Sequence, residues 1–568
     1  MSTRGSITIA GLASLAVLAG SCSAVDHAPT AAHPRPVRAH VVPALAQASP
    51  TRHPNVLVIT ADDMRADDLR WMPQTRRQIA RTGLTFRNSF APNPLCCPAR
   101  ASLLTGKYSH NHRVLSHEAP YGFGAFDDSR TLPTVLRRAG YRTALVGKYL
   151  NGYGDQPTYA GHRPSLRYVP PGWSQWWGST DHHWRAGERP GGGTYNYTHL
   201  TSNVNGRLRT YPGRYTTDVT SEQTSDLVRR FGAVRPRRPW FVWWTPVAPH
   251  FGGPRESDDP GTVRRPDGDP VPWGTPARPA WVKHRFDRQI THGAGVPPGR
   301  PEERDVSDKP GYLRNAPALS RHERSIERTV TRQRAEALFV LDRGIAHTLR
   351  TLRQTGQARR TIVVFTSDNG YYVGEHRKRQ GKITLHEPSI RVPLLMSGPT
   401  IPHGSRFDPV TVEDLAVTIA SWAGARLPAA DGSDLRPTIA RGDTGWTRPV
   451  VLEGLMPGRR YARAHHWAQA MQGLDTVGIR TGRWKLVRYS TGEYELYDLE
   501  HDPLELRSLH GAATREIRGE LEGVWQQYAA CARRACRVPL PPDLVTGPGE
   551  TRRTTVHQEQ ARQRYYRY

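Results

Sequence analysis

The chain has 568 residues, of which 37% are hydrophobic, 52 are glycine and 48 are proline. This composition favours a loop-rich globular enzyme and excludes a coiled coil or a membrane protein, and the length accommodates one large domain and a smaller one. The formal charge of +28 comes almost entirely from arginine, since only seven of the 79 basic residues are lysine. Such a surface attracts sulfated glycans, nucleic acids and anionic membranes. The arginines are scattered, however, as a GC-rich genome would produce, and no nucleic-acid-binding motif accompanies them, so no specific nucleic-acid partner is predicted.

The N-terminus carries an export signal in residues 1–24. A short basic start precedes an apolar run from Ile7 to Gly20, which is too short to predict a membrane-spanning helix. The residues Ala-Gly-Ser-Cys that end at Cys22 resemble a loose bacterial lipobox and predict a lipid anchor there, whereas cleavage after Ala24 by an ordinary signal peptidase is the alternative. Both outcomes predict an exported bacterial protein, either secreted or held at the cell surface. Residues 25–52, rich in Ala, Pro and His, predict a flexible tether.

Two buried strands are predicted by short apolar runs that end in oxygen donors. Residues 55–60 are followed by Asp62 and Asp63, and residues 361–366 are followed by Asp368 and Asn369. Carboxylate and amide oxygens are hard ligands that favour Ca²⁺ or Mg²⁺ over zinc. The four side chains therefore predict a divalent metal site, although each pair taken alone could simply cap a helix or form a turn.

Further strands alternate with helices along the first 440 residues. Residues 143–146 form a predicted strand that ends at Lys148, and residues 241–245 form another that leads to His250. Helices are predicted over residues 132–139 and 333–353, the second from apolar side chains at helical spacing. This alternation predicts an α/β fold with a large mixed, mostly parallel sheet flanked by helices, and chemistry at the carboxyl ends of its strands. Residues 251–330, rich in Pro, Arg and Gly, are predicted loops that cover the mouth of the site.

The pattern changes near residue 440. Short strands at residues 477–480, 484–487 and 495–498 and a helix over 513–531 predict a smaller C-terminal antiparallel sheet plus helix. We therefore expect a catalytic domain at 53–439, a small α+β subdomain at 440–536 and an unpatterned basic tail at 537–568. Cys531 and Cys536 are spaced for a disulfide, which an exported protein permits, or stay reduced.

Residues 96–107 read Cys-Cys-Pro-Ala-Arg-Ala-Ser-Leu-Leu-Thr-Gly-Lys. The stretch resembles the signature of the formylglycine-dependent sulfatases, which have an alkaline-phosphatase-like fold. The resemblance implies that a formylglycine-generating enzyme oxidises Cys96 to formylglycine, next to the metal. The hydrated aldehyde then attacks the sulfur of a sulfate ester, and its second hydroxyl lets sulfate leave. From the residues alone, a buried thiol pair or a disulfide partner is the alternative.

The resemblance to sulfatases covers residues 53 to about 530 and implies further site residues. Arg100 matches the arginine that supports formylglycine, and Lys107, Lys148 and Lys382 match basic residues that contact the sulfate or the diol. His250 matches the histidine that protonates the leaving alcohol. The metal set of the family matches Asp62, Asp63, Cys96, Asp368 and Asn369. Cations that hold a dianionic transition state and a histidine acid suit this chemistry.

Four segments resemble the branch of N-acetylglucosamine-6-sulfatases and extracellular heparan 6-O-endosulfatases. They are residues 107–112, 148–151, 305–310 and 374–377. Two positions depart from the wider family: Leu150 stands where arylsulfatases carry histidine, and His386 stands where many members carry tyrosine. His386 or His112 could therefore handle the proton of the diol, and we assign both to substrate binding.

The resemblance predicts a calcium-dependent sulfatase that acts on a sulfated carbohydrate such as N-acetylglucosamine 6-sulfate. The expected partners are that carbohydrate and the formylglycine-generating enzyme. Two alternatives stay open. The same fold could hydrolyse aryl sulfates or phosphate and phosphonate esters, or the protein could be a non-catalytic surface protein that binds sulfated glycans with an unmodified Cys96.

Overall fold

The computed structural model describes residues 53–162, 165–182, 191–234, 237–264, 270–271, 273–297, 303–455 and 474–567. The predicted leader, the lipid anchor at Cys22 and the tether lie outside these residues. The strands are β1 (Asn55–Ala61), β2 (Leu84–Phe90), β3 (Arg142–Lys148), β4 (Gln175–Ser179), β5 (His199–Val204), β6 (Arg207–Pro212), β7 (Trp240–Thr245), β8 (Val263–Arg264), β9 (Pro270–Val271), β10 (Thr361–Ser367), β11 (Leu394–Ser397), β12 (Gly404–Thr411), β13 (Val450–Gly454), β14 (Thr476–Arg480), β15 (Trp484–Tyr489) and β16 (Tyr494–Asp498).

Helices cover both faces of the main sheet and the C-terminal region. They are α1 (Pro73–Thr75), α2 (Cys96–Thr105), α3 (Ser109–His112), α4 (Leu132–Arg138), α5 (Thr216–Ala233), α6 (Gly311–Arg314), α7 (Arg321–Gln354), α8 (Glu387–Ile390), α9 (Val412–Trp422), α10 (Arg436–Arg441), α11 (Arg515–Ala529) and α12 (Pro548–Tyr565). Within the described part of the chain, no helix is long and apolar enough to span a bilayer.

Ten strands form the main sheet, in the order β12-β2-β11-β10-β1-β7-β3-β4-β5-β6. The five central strands from β10 to β4 run parallel to one another, and so do β12 and β2. Antiparallel pairs join β11 to its two neighbours and the β5–β6 hairpin to β4. The predicted mixed, mostly parallel sheet is confirmed.

The apolar side chains of β1 show how the sheet is buried on both faces. Val56 and Val58 pack into one hydrophobic cluster with residues of α2, α4 and α9, while Leu57 and Ile59 pack into the other with α5 and α7. All four are completely buried, as the two-residue period of a central parallel strand requires. Both faces of the sheet are therefore covered along β1, the strand that ends next to Asp62 and Asp63.

Helix α7 begins earlier than the apolar pattern predicted. Ser320 caps it by accepting a hydrogen bond from the Glu323 amide, and the Glu323 carboxylate accepts one from the Ser320 amide in return. This capping box starts the helix at Arg321, inside the region predicted as loops.

The C-terminal region contains the predicted antiparallel sheet, in the order β13-β14-β15-β16, with α11 packed on it through Leu521, Val524 and Trp525. A disulfide joins Cys531 and Cys536. Phe90 and Leu385 of the larger part belong to the same hydrophobic cluster, and the described residues from 53 onward form one unit. The domain boundary at residue 440 accordingly stays a prediction from sequence.

Residues 537–568, expected as an unpatterned basic tail, contain a helix that the sequence did not predict, α12 at Pro548–Tyr565. The helix faces the rest of the protein with polar side chains. Thr555 accepts a hydrogen bond from Asn88 Nδ2 at 2.8 Å, and Gln558 accepts one from Arg480 Nη2 at 3.1 Å. An interface of this kind leaves no apolar period in the sequence.

Candidate active site

The carboxyl ends of β1 and β10 bring the four predicted oxygen donors together. The two strands pair in parallel with Ala61 opposite Ser367, so Asp62 and Asp368 leave the sheet at the same level. The amide of Asp63 donates a hydrogen bond to Asp368 Oδ1 at 3.2 Å, and Asn369 Nδ2 donates one to Asp63 Oδ1 at 2.7 Å. Asp63 has a φ of 65°, in the left-handed region, which Asp tolerates better than most residues. This backbone turn points consecutive carboxylates into one site.

Cys96 is the first residue of α2 and is completely buried beside these carboxylates. Its Sγ lies 3.3 Å from Asp62 Oδ1, 3.8 Å from Asp63 Oδ1 and 2.8 Å from Lys382 Nζ. Burial raises the pKa of the Cys96 thiol well above its usual value, and the charge of Asp62 acts in the same direction. The thiol is therefore protonated near neutral pH and is a poor nucleophile as it stands.

Three cations balance the carboxylates. Lys148, at the end of β3, places its Nζ 2.7 Å from Asp62 Oδ2. Arg100, one turn into α2, donates from Nε to Asp368 Oδ2 at 2.8 Å and from Nη1 to the Lys148 carbonyl at 2.8 Å. Lys382 forms an ion pair with Asp63. Burial acts to raise the pKa of Asp62, but Lys148, His250 and Arg100 outweigh it and hold that pKa far below the usual range.

His250 follows β7 and faces the same cluster. Its Nδ1 lies 2.7 Å from the Phe251 carbonyl, which makes Nδ1 the protonated nitrogen and leaves Nε2 toward Asp63 Oδ2 at 3.6 Å. Burial lowers the pKa of His250 to about 4, although the charges of Asp63 and Asp62 act in the opposite direction. Nε2 is therefore the nitrogen available for proton transfer in the pocket.

The donor set fits a hard divalent cation. Asp63 Oδ2 and Asn369 Oδ1 are buried and have no hydrogen-bond partner among the residues that the structure describes. Ligand atoms of Asp62, Asp63, Cys96 and His250 lie within 4.8 Å of one another. Buried oxygens of this kind are costly unless a donor or a cation satisfies them. Three carboxylates and one amide oxygen are ligands that Ca²⁺ and Mg²⁺ prefer.

Three residues predicted from the sequence lie outside this cluster. Lys107 follows the far end of α2, a helix about 14 Å long at 1.5 Å per residue. His112 lies near it, with Nε2 3.1 Å from Ser102 Oγ and Nδ1 accepting from the Val114 amide at 3.1 Å.

His386 faces the C-terminal sheet. Its Nδ1 lies 2.9 Å from the Tyr372 hydroxyl and its Nε2 lies 3.2 Å from Glu495 Oε2. Both ring nitrogens of His112 and of His386 thus have partners within the protein. The assignment of His112 and His386 to substrate binding therefore stays a prediction from sequence.

Other residues at the site were not assigned from the sequence. The Tyr195 ring lies 5.1 Å from Lys148 Nζ and 4.7 Å from the His250 ring, and its hydroxyl accepts a hydrogen bond from Asn151 Nδ2 at 2.6 Å. His117 is half-buried, and its Nε2 is buried without a hydrogen-bond partner in the described ranges. Asn151 lies in a segment that resembles the family, which is the one signal that could have found it.

Comparison with known proteins identifies the family. The family model described as Sulfatase matches residues 54–425, and the model described as N-sulphoglucosamine sulphohydrolase, C-terminal, matches residues 374–527. The chain is 29% identical over 539 residues to an arylsulfatase of Chlamydomonas reinhardtii, covering 88% of this chain and 78% of that protein. It is 27% identical over 527 residues to the N-acetylglucosamine-6-sulfatase of Homo sapiens, covering 87% of each.

One solved structure with the same fold was determined in complex with its substrate, D-glucosamine-2-N,6-O-disulfate. It superposes with a TM-score of 0.58 at 20% identity, covering 85% of this chain and 98% of the other. The sulfatase model alone spans well over half of the chain, and it includes the signature, β1, β10 and His250. The chain therefore belongs to the sulfatase family and is a sulfuric ester hydrolase.

Proposed function

We propose that the protein hydrolyses sulfate esters of a carbohydrate, using formylglycine at position 96 and a divalent cation, with Ca²⁺ favoured and Mg²⁺ as the alternative. The observation that carries this proposal is the surrounding of Cys96, a buried thiol whose Sγ lies 2.8 Å from Lys382 Nζ and 3.3 Å from Asp62 Oδ1. A buried, protonated thiol is a poor nucleophile, so the reactivity of an unmodified cysteine does not explain the charged groups around it. Oxidation of Cys96 to formylglycine supplies, as the hydrated aldehyde, an oxygen nucleophile and a second hydroxyl that lets sulfate leave.

The cation belongs with Asp62, Asp63, Asp368 and Asn369. Support comes from the buried oxygens Asp63 Oδ2 and Asn369 Oδ1, which lack hydrogen-bond partners in the described part of the chain. When bound there, a divalent cation neutralises the oxygens of the sulfate group and orients its sulfur.

The basic residues hold the sulfate group next to Cys96. Lys382 and Lys148 each pair with a carboxylate of the cluster, at Asp63 and Asp62 respectively, so their ammonium groups are positioned before substrate arrives. Arg100 fixes Asp368 and the Lys148 carbonyl. Preorganised cations of this kind stabilise the charge that develops on the sulfate oxygens in the transition state.

His250 provides the proton for the leaving oxygen. Its Nε2 faces the pocket, while Nδ1 is held by the Phe251 carbonyl. Burial lowers its pKa to about 4, which disfavours the protonated form in the empty pocket. The negative charge of a bound sulfate ester acts in the opposite direction and favours protonation when the proton is needed.

The substrate class is a sulfated amino sugar such as N-acetylglucosamine 6-sulfate. Support comes from the N-acetylglucosamine-6-sulfatase of Homo sapiens, similar over 87% of both chains, and from the fold shared with a protein solved with a disulfated glucosamine. The arylsulfatase of Chlamydomonas reinhardtii supports an alternative, hydrolysis of aryl sulfates. The ratio of kcat/KM for N-acetylglucosamine 6-sulfate to that for an aryl sulfate separates the two, and a matched aryl phosphate tests the phosphatase alternative.

We also propose export from the cell. The apolar run at residues 7–20 is typical of an export signal. The disulfide between Cys531 and Cys536 suits the oxidising environment outside the cytoplasm. Relatives named as extracellular sulfatases, from Caenorhabditis elegans and Drosophila melanogaster, support it further.

Peptide mass spectrometry across residues 88–107, on protein from its native host, tests the nucleophile. We expect an aldehyde in place of the Cys96 thiol, and loss of sulfate release in Cys96→Ala. Cys97→Ala is the matched control, because Cys97 is an equally buried neighbouring thiol whose Sγ contacts the Asn151 carbonyl and not the carboxylates. An intact Cys96 thiol in protein that binds sulfated glycans without hydrolysing them would favour the non-catalytic alternative.

A further inference from the structure

A second cavity lies away from Cys96, between α12 and the main sheet. Its volume is about 890 Å³, within the range of roughly 300–1,000 Å³ that holds small organic ligands. Its walls come from β2, β11, α8, α12 and the segment after β1. None of the residues assigned above to the active site lines it. The cavity is therefore a separate candidate site.

Cations outnumber anions around this cavity. Eight arginines line it against four carboxylates, which belong to Asp67, Glu387, Glu505 and Glu559. The surplus is sharpest at Glu387, whose carboxylate meets Arg391 Nε at 2.7 Å, Arg480 Nε at 3.3 Å, Lys485 Nζ at 3.7 Å and Arg562 Nη1 at 3.8 Å. Glu505 adds one more carboxylate, bound to Lys485. Four cations thus share two carboxylates in a largely buried setting, which is costly unless another anion joins them.

Three arginines that line the cavity each have one buried guanidinium nitrogen with no hydrogen-bond partner within the described residues. These nitrogens are Arg87 Nε, Arg391 Nη2 and Arg562 Nη2. Arg391 is fixed by its other nitrogens, since Nε binds Glu387 and Nη1 donates to the Arg87 carbonyl at 2.7 Å. Arg562 approaches the same Glu387 oxygen as Arg391, so the two guanidinium groups converge. Burial and the charge of Arg391 lower the pKa of Arg562 to about 10, the mark of a cation short of negative charge.

We propose that this cavity is a non-catalytic binding site for a sugar that carries a tetrahedral oxyanion, such as a sulfated saccharide. Arg391, Arg562 and Arg87 line the cavity, and their guanidinium groups supply the positive charge that holds the oxyanion. Guanidinium groups suit this task because their planar donors match the oxygens of sulfate and phosphate. The volume of the cavity leaves room for the sugar beside the oxyanion. The site would hold a sulfated chain to the enzyme independently of the hydrolytic pocket.

Binding to the Cys96→Ala protein tests the proposal, because that background leaves the ligand intact. Glucosamine 6-sulfate, glucosamine 6-phosphate, inorganic sulfate and unmodified glucosamine are titrated separately at constant ionic strength by calorimetry. We expect two binding events for the sulfated sugar, one at each site. Arg562→Gln weakens one of them about ten-fold or more, as loss of a charge-assisted hydrogen bond does, and leaves the other unchanged. If glucosamine 6-phosphate binds at this site as tightly as glucosamine 6-sulfate, the site accepts a sugar phosphate as well as a sulfated sugar.

Arg553→Gln is the matched control. Arg553 lies on the same helix, is exposed and does not line the cavity, so the variant makes the same change of charge without touching the site. Arg562→Gln should fold at least as stably as its parent, because it removes one cation from a crowded cluster. Arg87→Gln, at a more exposed position, is expected to weaken the same event. Equal binding in Arg562→Gln and Arg553→Gln would overturn the proposal. Inorganic sulfate that binds at this site as tightly as glucosamine 6-sulfate would also overturn it, because the sugar would then contribute nothing.

Discussion

The ammonium group of Lys382 lies 2.8 Å from the Sγ of Cys96, closer than the 3.3 Å that separates the same sulfur from Asp62. Lys382 lies in the loop before α8, and the amide of the next residue, Ile383, donates a hydrogen bond to the Pro94 carbonyl at 3.1 Å. The loop is thereby tied to the segment that starts the signature helix. A cation from a distant part of the chain is thus fixed beside the residue proposed as nucleophile.

Replacing Lys382 by alanine should slow sulfate ester hydrolysis about 10²- to 10³-fold in kcat, the usual effect of removing one preorganised charge from a transition state. The side chain is only 8% exposed, so solvent screens its charge weakly. Steady-state kinetics on an aryl sulfate measure the loss. Lys378→Ala provides the control, because Lys378 is a near neighbour in sequence whose ammonium faces the rings of Tyr312 and Tyr372. An equal loss of kcat in both variants would contradict a specific role for Lys382.

Removing the divalent cation should abolish activity, and Ca²⁺ should restore it. Asn369→Ala deletes a neutral ligand and should raise the Ca²⁺ concentration needed for half-maximal thermal stabilisation about ten-fold or more, since ligand number sets the affinity of such sites. The measurement is a series of melting curves of chelator-treated protein in increasing Ca²⁺. Asn315→Ala, at an exposed position, should leave the curve unchanged. The same Ca²⁺ dependence in both variants would argue against Asn369 as a ligand.

The strands that deliver the site could be predicted from the sequence. Residues of β1 and β10 are continuous apolar runs, and the oxygen donors follow them directly, so parallel pairing was enough to bring Asp62 and Asp368 together. The β5–β6 hairpin was missed, although its Asn205-Gly206 turn, with both φ values positive, is a strong hairpin signal.

Side-chain direction could not be predicted in the same way. His112 and His386 lie in or near segments that resemble the family, but sequence spacing does not show which neighbour a ring faces. His386 turns toward Glu495, more than a hundred residues later in the chain, and Arg480 reaches Gln558 of α12 in a similar manner. Both contacts are polar and distant in sequence, and neither leaves a periodic pattern.

His117 should contribute to binding of the sugar. Burial lowers its pKa well below the usual value, with the charges of Lys382 and Lys148 acting in the same direction, so the ring is neutral and offers hydrogen bonds. Its Nε2 has no partner in the described part of the chain. His117→Ala should raise KM for N-acetylglucosamine 6-sulfate about ten-fold, as loss of a hydrogen bond does. We expect kcat and the KM for a small aryl sulfate to change little. His284→Ala, at an exposed site, is the control; an equal rise in KM for both substrates would indicate a role other than sugar recognition.

The ion pair between His110 and Glu453 should make stability depend on pH. Burial acts to lower the pKa of His110, but Glu453 outweighs it and raises that pKa to about 9. Because the unfolded value is about 6.5, the pair contributes fully below pH 6.5, and its contribution fades as the pH rises to 9. The loss over this window is on the order of 3 kcal/mol. His110 Nε2 also lies 3.0 Å from the Cys531 carbonyl, so the ring joins α3 to the C-terminal region.

Urea unfolding at pH 6, 7.5 and 9.5 measures how the free energy of unfolding changes with pH. His110→Gln should flatten this dependence, whereas His501→Gln, which changes an exposed ring, should retain it. An unchanged slope in His110→Gln would assign the pH dependence to another group.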